Sequence, residues 1–269
     1  MSETSQRSEP CVVLQRSGTV RSNKKLANNL YVLEIASEDV AAALLPGQFI
    51  HLRIPGMDDH ILRRPFSVYQ VDADQGVMSV LYQTVGYGTR HLSVLAAPFE
   101  VDIIGPVGNG WEVPEEAQRI LLVAGGVGAA PLYIYASKLV AAGKEVDVVL
   151  GAQTKDALVA LEAYEALLGS APYCATDDGT FGYHGFCTGV VSELVSSKGY
   201  DLVACCGPEP MMRTVSKITL AKQIPTMVSL EKRMACGIGA CLSCVVSTTE
   251  GFKRSCVDGP IFDAAKVVW

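Results

Sequence analysis

The spacing of hydrophobic and polar positions changes twice along this chain. Through the first hundred or so residues, short apolar runs recur at 11–14, 30–33, 49–54, 66–69, 77–82 and 101–104. Pro46-Gly47, Pro55-Gly56 and the turn at Asp74-Gln75-Gly76 punctuate them. Regular short strands with such turns predict a small antiparallel barrel or sandwich, with helix only over 41–45 and near 89–96. From Pro114 to Pro225 the runs lengthen and become continuous. Residues 119–124 form an unbroken apolar strand, as a parallel strand buried on both faces should. Further strands are expected at 145–150, 173–176, 200–205 and 226–229, separated by helices over 132–142, 157–168, 185–196 and 209–222. This alternation predicts a doubly wound parallel α/β sheet. After residue 226 neither pattern continues, and four cysteines gather between residues 236 and 256. The expected organisation is a polar disordered tail (1–10), an all-β barrel (11–113), an α/β domain (114–225) and a small C-terminal loop domain (226–269), a multi-domain β plus α/β chain.

Composition narrows the function classes. Of 269 residues, 49% are hydrophobic and 19% charged, so the chain can bury a large core. A net charge of −6 speaks against nucleic acid, which asks for a basic face. No apolar run approaches the roughly 20 residues that span a bilayer, so no membrane association is expected. The first ten residues are polar and carry no export signal. Nine cysteines in such a chain imply reduced thiols and metal or redox use, and a cytoplasmic location.

The densest chemistry lies near the C-terminus. Cys236, Cys241, Cys244 and Cys256 follow C-x4-C-x2-C-x11-C, whose first three positions match the plant-type [2Fe–2S] spacing. Gly237 and Gly239 suit a loop wrapped tightly round a cluster. A four-cysteine zinc site usually shows two C-x2-C pairs, and only one is present; disulfides suit secreted mini-domains. Both remain as lesser alternatives. About 25 residues follow Cys244, too few for a complete ferredoxin domain, so the cluster segment must lean on another domain.

Other signals are weaker singly. Arg63-Arg64-Pro65-Phe66-Ser67 offers guanidinium donors suited to pyrophosphate, or an ordinary surface arginine pair before a strand. Gly86-Tyr87-Gly88-Thr89 reads as a phosphate-binding helix entry, or a plain N-cap by Thr89. Gly126-Val127-Gly128-Ala129-Ala130-Pro131 lies between strand and helix, where small residues let a dinucleotide approach, although such a loop is often only a tight turn. Thr176-Asp177-Asp178-Gly179 and Cys206-Gly207-Pro208 sit at strand ends where open sheets bind ligands. Cys206 could face a nicotinamide or be a small buried filler.

Taken together, Leu62-Arg-Arg-Pro-Phe-Ser67, Gly105-Pro-Val-Gly-Asn-Gly110, Thr176-Asp-Asp-Gly179 and Ser229-Leu-Glu-Lys-Arg-Met-Ala-Cys-Gly-Ile-Gly-Ala-Cys-Leu-Ser-Cys244 resemble the ferredoxin-reductase superfamily. Within it the chain most resembles the electron-transfer subunits of NAD-dependent class 1B dihydroorotate dehydrogenases, over residues 11–265. The resemblance implies that Arg64, Pro65, Phe66 and Ser67 hold FAD, that Leu81, Tyr82 and Gln83 line it, and that Gly88 and Thr89 take its pyrophosphate. It implies that Gly126, Gly128, Asp178 and Cys206 meet NAD, and that Cys236, Cys241, Cys244 and Cys256 ligate a [2Fe–2S] cluster. It further implies a catalytic partner carrying FMN, a heterotetramer with two of each subunit, and a place in pyrimidine (UMP) synthesis. Phe66 stands where the superfamily often has Tyr; the stacking face stays and the hydroxyl is lost. No basic pair after 145–150 marks a 2′-phosphate site, although Lys155 is close, so NAD is expected over NADP. Electrons are expected to run from the partner's FMN to the cluster, to FAD, to NAD⁺, with flavin converting between single electrons and hydride. This chain then needs no catalytic acid or base. The alternatives are a stand-alone NAD(P)H:acceptor flavin/iron–sulfur reductase and a zinc-stabilised nucleotide-binding regulatory module. Cys11, Cys174, Cys187 and Cys205 are expected only to pack.

Overall fold

Six antiparallel strands close the N-terminal part of the chain into a barrel, in a computed structural model that describes residues 13–27 and 29–269. They are β1 (Leu14–Ala27), β2 (Leu30–Ala36), β3 (Phe49–Arg53), β4 (Arg64–Asp72), β5 (Val77–Gln83) and β6 (Phe99–Val107), paired in the order β1-β2-β5-β4-β3-β6. Alternate side chains point inward. Val20, Leu33, Ile35, Ile50, Leu52, Val80 and Ile103 are fully shielded in the centre. Two short helices, α1 (Glu38–Ala43) and α2 (Tyr87–Ser93), sit in the crossovers from β2 to β3 and from β5 to β6. The expected tail over 1–10 and the start of the run at Cys11 lie outside the described residues. The first strand begins at Leu14 and continues through a mostly polar stretch, because β1 shows one face to water and buries little beyond Gly18 and Val20.

The second unit is a sheet of β7 (Arg119–Gly125), β8 (Glu145–Ala152), β9 (Tyr173–Thr176), β10 (Tyr183–His184), β11 (Leu202–Cys206) and β12 (Thr226–Ser229), all parallel. Helices α3 (Ala129–Ala141) and α4 (Leu161–Leu168) cover one face; α5 (Cys187–Ser197) and α6 (Glu209–Ala221) cover the other. From β7 the sheet grows outward through β8, β9 and β10 on one side and through β11 and β12 on the other. The crevice between β7 and β11 is therefore a topological switch point, where such sheets take ligands. Leu30, Tyr69, Leu81 and Trp111 of the barrel side share one core with α3 and α4. Tyr69 packs on Tyr133 at 5.0 Å and Trp111 stacks on Tyr135 at 5.3 Å, which fixes the barrel against α3.

Beyond β12 the chain makes an excursion and returns. It forms the hairpin β13 (Val245–Thr248) and β14 (Gly251–Arg254), then comes back as β15 (Ile261–Asp263), antiparallel to β12 at the sheet edge. The expected boundary at residue 226 thus falls inside the α/β sheet, since both flanks of the cysteine segment are its strands. The excursion lies against the outer face of β3. Ile50 and Leu52 fill the barrel core, while Phe49 and His51 point the other way and are buried all the same.

Candidate functional site

The x11 interval between the last two cysteines is the length of a hairpin. Cys244 immediately precedes β13, and Cys256 follows β14 by one residue. Val245 pairs with Arg254 and the Ser255 N–H donates to the Cys244 carbonyl at 2.9 Å, so the two thiols meet at the hairpin's open end, 3.3 Å apart. Both are buried, with Phe49, Val107, Ile104 and Met234 as an apolar floor. The other two thiols pair through the loop. Gly237 (φ +71°), Gly239 (φ +80°) and Leu242 (φ +57°) turn it back on itself, and the N–H groups of Ile238 and Cys241 both reach the Cys236 sulfur at 3.4 Å. Burial opposes ionisation of Cys236, but these donors outweigh it and bring the thiol down to about 7. Burial, with Cys244 beside it, pushes Cys256 up to about 12.

Among the described residues no three His, Cys, Asp or Glu side chains converge as ligands of one ion. The thiols instead form two pairs, Cys236 with Cys241 and Cys244 with Cys256. A closed zinc site needs four ligands about one centre; two thiol pairs suit two irons. The glycines fit the same reading. A Cβ on Gly237 would lie 2.7 Å from Nδ1 of His51, and one on Gly239 would lie 2.7 Å from Cγ2 of Val257. The loop therefore has no room for side chains where it folds over β3. Arg254 holds it from behind, donating to the Gly239 carbonyl at 3.3 Å and to Asp258 at 3.1 Å. His51 is fully buried and neither ring nitrogen has a hydrogen-bond partner among the described residues. Burial, with Arg63 and Arg64 adding to it, lowers its pKa to about 4, so the ring is neutral.

On the barrel, the arginine pair divides its labour. Arg63 is fixed to β6, donating to the Asp102 carbonyl at 2.8 Å and its carboxylate at 2.7 Å. Arg64 turns back on the Leu62 carbonyl and arches over Gly88, where a Cβ would lie 2.8 Å from its Nε. Arg64 and Gly88 are thus brought together as a paired cradle. Thr89 is not the N-cap. Gly86 is, and Thr89 bonds back from the third helical position, accepting from the Val85 and Gly86 N–H groups at 3.0 and 3.1 Å. Pro65 is exposed and Ser67 half-buried on the outer face of β4, opposite His51 and Phe49. Phe66 points into the barrel and meets the edge of Tyr82 at 5.8 Å. The Tyr82 hydroxyl donates to Asn23 at 2.9 Å. Leu81 faces α3 instead, and Gln83 is half-buried at the strand end.

At the switch point the two glycines differ. Gly126 (φ +54°) has open space where a Cβ would be, whereas a Cβ on Gly128 would sit 2.4 Å from the Cys206 carbonyl oxygen. The first is open to a ligand; the second seats the loop on β11. Asp178 accepts from the Thr180 N–H and hydroxyl at 3.0 and 2.7 Å, which hold its carboxyl below the usual range. The Thr180 hydroxyl also accepts from the Lys155 N–H at 2.9 Å, joining the loops after β8 and β9. Cys206 is buried beside Ser229 and Glu231, and burial pushes its thiol far up. Sequence reasoning missed Glu231 and His51. Glu231 is open to solvent, yet the atoms crowding its carboxyl push the pKa up, a direction its exposure tempers. For His51 the available signal was a histidine that, with Arg53, breaks the apolar run 49–54.

The chain is similar to known proteins in sequence and in fold. A family model described as the iron–sulfur cluster binding domain of dihydroorotate dehydrogenase B matches residues 231–268. Oxidoreductase FAD-binding and NAD-binding domains match 17–111 and 122–217. In structure the chain is similar to an NADH-dependent reduced ferredoxin-NADP oxidoreductase (TM-score 0.86, 31% identity, 94% of this chain and 90% of that one). It shares a fold with phthalate dioxygenase reductase (TM-score 0.64, 18% identity, 87% of each chain). The dihydroorotate dehydrogenase B (NAD(+)) electron transfer subunit of Geobacillus sp. (strain WCH70) is 38% identical over 259 residues, covering 94% of this chain and 98% of that protein. That of Desulforamulus reducens is 35% identical over 248 residues, covering 91% and 94%. Matched over more than nine-tenths of its length at these identities, the chain belongs to the family of dihydroorotate dehydrogenase B (NAD(+)) electron transfer subunits.

Proposed function

We propose that this chain is the oxidoreductase subunit that carries electrons away from a dihydroorotate-oxidising partner and delivers them to NAD⁺ in pyrimidine (UMP) synthesis. The observation that carries this reading is the placement of the thiol pairs: the β12–β15 excursion folds them onto β3, one strand from the Arg64–Ser67 motif. When bound, FAD and a [2Fe–2S] cluster supply the exchange between hydride and single electrons that joins NAD to a one-electron path. Cys236 and Cys241 would hold one iron, Cys244 and Cys256 the other. Arg64 with Gly88 would hold the FAD pyrophosphate, and Thr89 fixes that loop. Pro65, Ser67 and Gln83 would border the flavin, with Phe66 and Tyr82 supporting it from within the barrel wall and Leu81 from the core shared with α3. Gly126, Gly128, Asp178 and Cys206 would border the NAD crevice, with Gly126 open to the nucleotide and Gly128 as its support. The flavin unit runs to about residue 113. The nucleotide unit takes back β12 and β15, so the cluster unit is the excursion between them.

The partner in this reading carries FMN and assembles as two of each subunit. Ile238, Leu242, Phe252 and Val257 are exposed apolar side chains fringing the thiol loop and hairpin, a surface suited to that partner. We place the complex in the cytoplasm, where thiols stay reduced; no helix among the described residues is long and apolar enough to cross a membrane. The likeness to the ferredoxin-NADP oxidoreductase favours a second reading, a subunit exchanging electrons with a ferredoxin. Anaerobic titration of the co-expressed complex separates the two. Dihydroorotate should bleach the absorbance of this chain and NAD⁺ should restore it. A complex left oxidised by dihydroorotate but reduced by reduced ferredoxin would support the second reading.

A further inference from the structure

His51 has no hydrogen-bond partner among the described residues. It sits mid-strand on β3, fully buried, with both ring nitrogens unbonded among the described residues. Buried polar groups without partners are rare and ask for an explanation. Arg63 and Arg64 are near enough for their charges to act on it, and a guanidinium offers donors only, so it cannot accept from an imidazole N–H. Its Nδ1 abuts Gly237, the residue between Cys236 and Ile238. Two positions along the same face, Phe49 packs on Cys244 and Cys256. The two outward side chains of β3 thus floor both halves of the thiol loop, one apolar and one with a proton to donate.

We propose that His51 donates a ring hydrogen bond to a sulfur on the Cys236 half of the [2Fe–2S] cluster and raises the cluster's reduction potential. This rests on the assignment of that cluster to the four cysteines. Hydrogen bonds to cluster sulfurs are one of the levers on potential, because a donor stabilises the more negative, reduced state. His51 is a positioning and tuning residue, not a catalytic one.

The test is a redox titration of the full chain with its partner, read by EPR of the reduced cluster. His51→Leu keeps apolar bulk and removes the donor; His51→Gln restores an N–H. At the potential where the unsubstituted cluster is half reduced, His51→Leu should show a reduced-to-oxidised ratio about tenfold lower, which is about 59 mV for one electron. His51→Gln should recover most of it. An unmoved potential in His51→Leu, equal shifts in both variants, or a shift of the flavin midpoint alone would each overturn the proposal. If His51→Leu loses its cluster, pulsed EPR of the unsubstituted chain carrying heavy-nitrogen histidine decides instead. A ring-nitrogen coupling to the reduced cluster is expected, and its absence overturns the proposal. A flavin-loaded chain with no iron–sulfur signal at all would instead remove the cluster assignment, and this inference with it.

Discussion

At the scale of single residues, neighbours in sequence do unlike work. Arg63 is mostly buried and spends its donors on Asp102, so it holds β4 to β6. Arg64 keeps one nitrogen on the Leu62 and Arg63 carbonyls and holds its Nε and other terminal nitrogen over Gly88, where an anion can meet them. Arg63→Ala should therefore lower stability by about 1–2 kcal/mol while flavin content holds. Arg64→Ala should leave the melt nearly unchanged and weaken FAD retention at least tenfold, since charge-assisted bonds are worth about 1.5–3 kcal/mol. Thermal melts and released-flavin fluorescence distinguish these; equal flavin loss in both would contradict the division. The sequence could nominate the pair but not tell its members apart, because strand register decides which one reaches Asp102. That the four cysteines come together was legible, since their spacing carries the loop and hairpin geometry. His51 was not, because a lone histidine in an apolar run reads as core until its missing partners are seen.

At the scale of elements, the glycine loop after β7 joins packing to recognition. Gly128→Ala drives a Cβ into the Cys206 carbonyl, backbone that cannot swing away. Overpacking of this kind costs about 1–3 kcal/mol, so the melting temperature should fall. Gly126→Ala meets nothing, and its positive φ costs about 1 kcal/mol. Its effect should appear as a raised KM for NADH instead. A normal KM in Gly126→Ala would show that the nucleotide lies elsewhere. At the other end of β7, Asp201 accepts from the Arg119 and Gln118 N–H groups, both at 2.8 Å, and these hold its carboxyl below the ordinary range. Its contribution is complete above its unfolded pKa of about 3.9 and is lost as pH falls through the lower folded value. Asp201→Asn should melt slightly lower at pH near 7, with the gap closing below about pH 4; a gap constant with pH would contradict this. The continuous apolar strand β7 was legible because burial on both faces selects an unbroken apolar run. β1, β10 and the β13–β14 hairpin were not, because they turn polar faces to water. β15 was too short to signal its return to the sheet.

At the scale of the whole molecule, a barrel, a sheet and a thiol loop meet at one seam. Asn109 fastens it. Its N–H donates to the Gly259 carbonyl at 2.6 Å, and its side chain bonds the Asp258 and Ile261 carbonyls and the Ile261 N–H. Removing the three side-chain bonds, each worth about 0.5–1.5 kcal/mol net, should loosen the excursion without unfolding the barrel. Asn109→Ala is expected to speed hydrogen exchange over residues 236–256 and slow reduction of the cluster by NADH. Unchanged exchange there would mean that the β12–β15 pairing alone fixes the loop. This seam was beyond sequence reasoning, because it joins residues about 150 positions apart through backbone carbonyls, which leave no compositional trace.

The central claim is that one chain connects NAD, a flavin and a [2Fe–2S] cluster. An anaerobic visible spectrum of the purified chain, before and after NADH, tests it most directly. The account predicts flavin bands with a broad iron–sulfur shoulder, both bleached by NADH. Flavin bands without that shoulder, after anaerobic and iron-replete preparation, would contradict the assignment of Cys236, Cys241, Cys244 and Cys256. A shoulder that NADH leaves untouched while the flavin bleaches would contradict the connection itself.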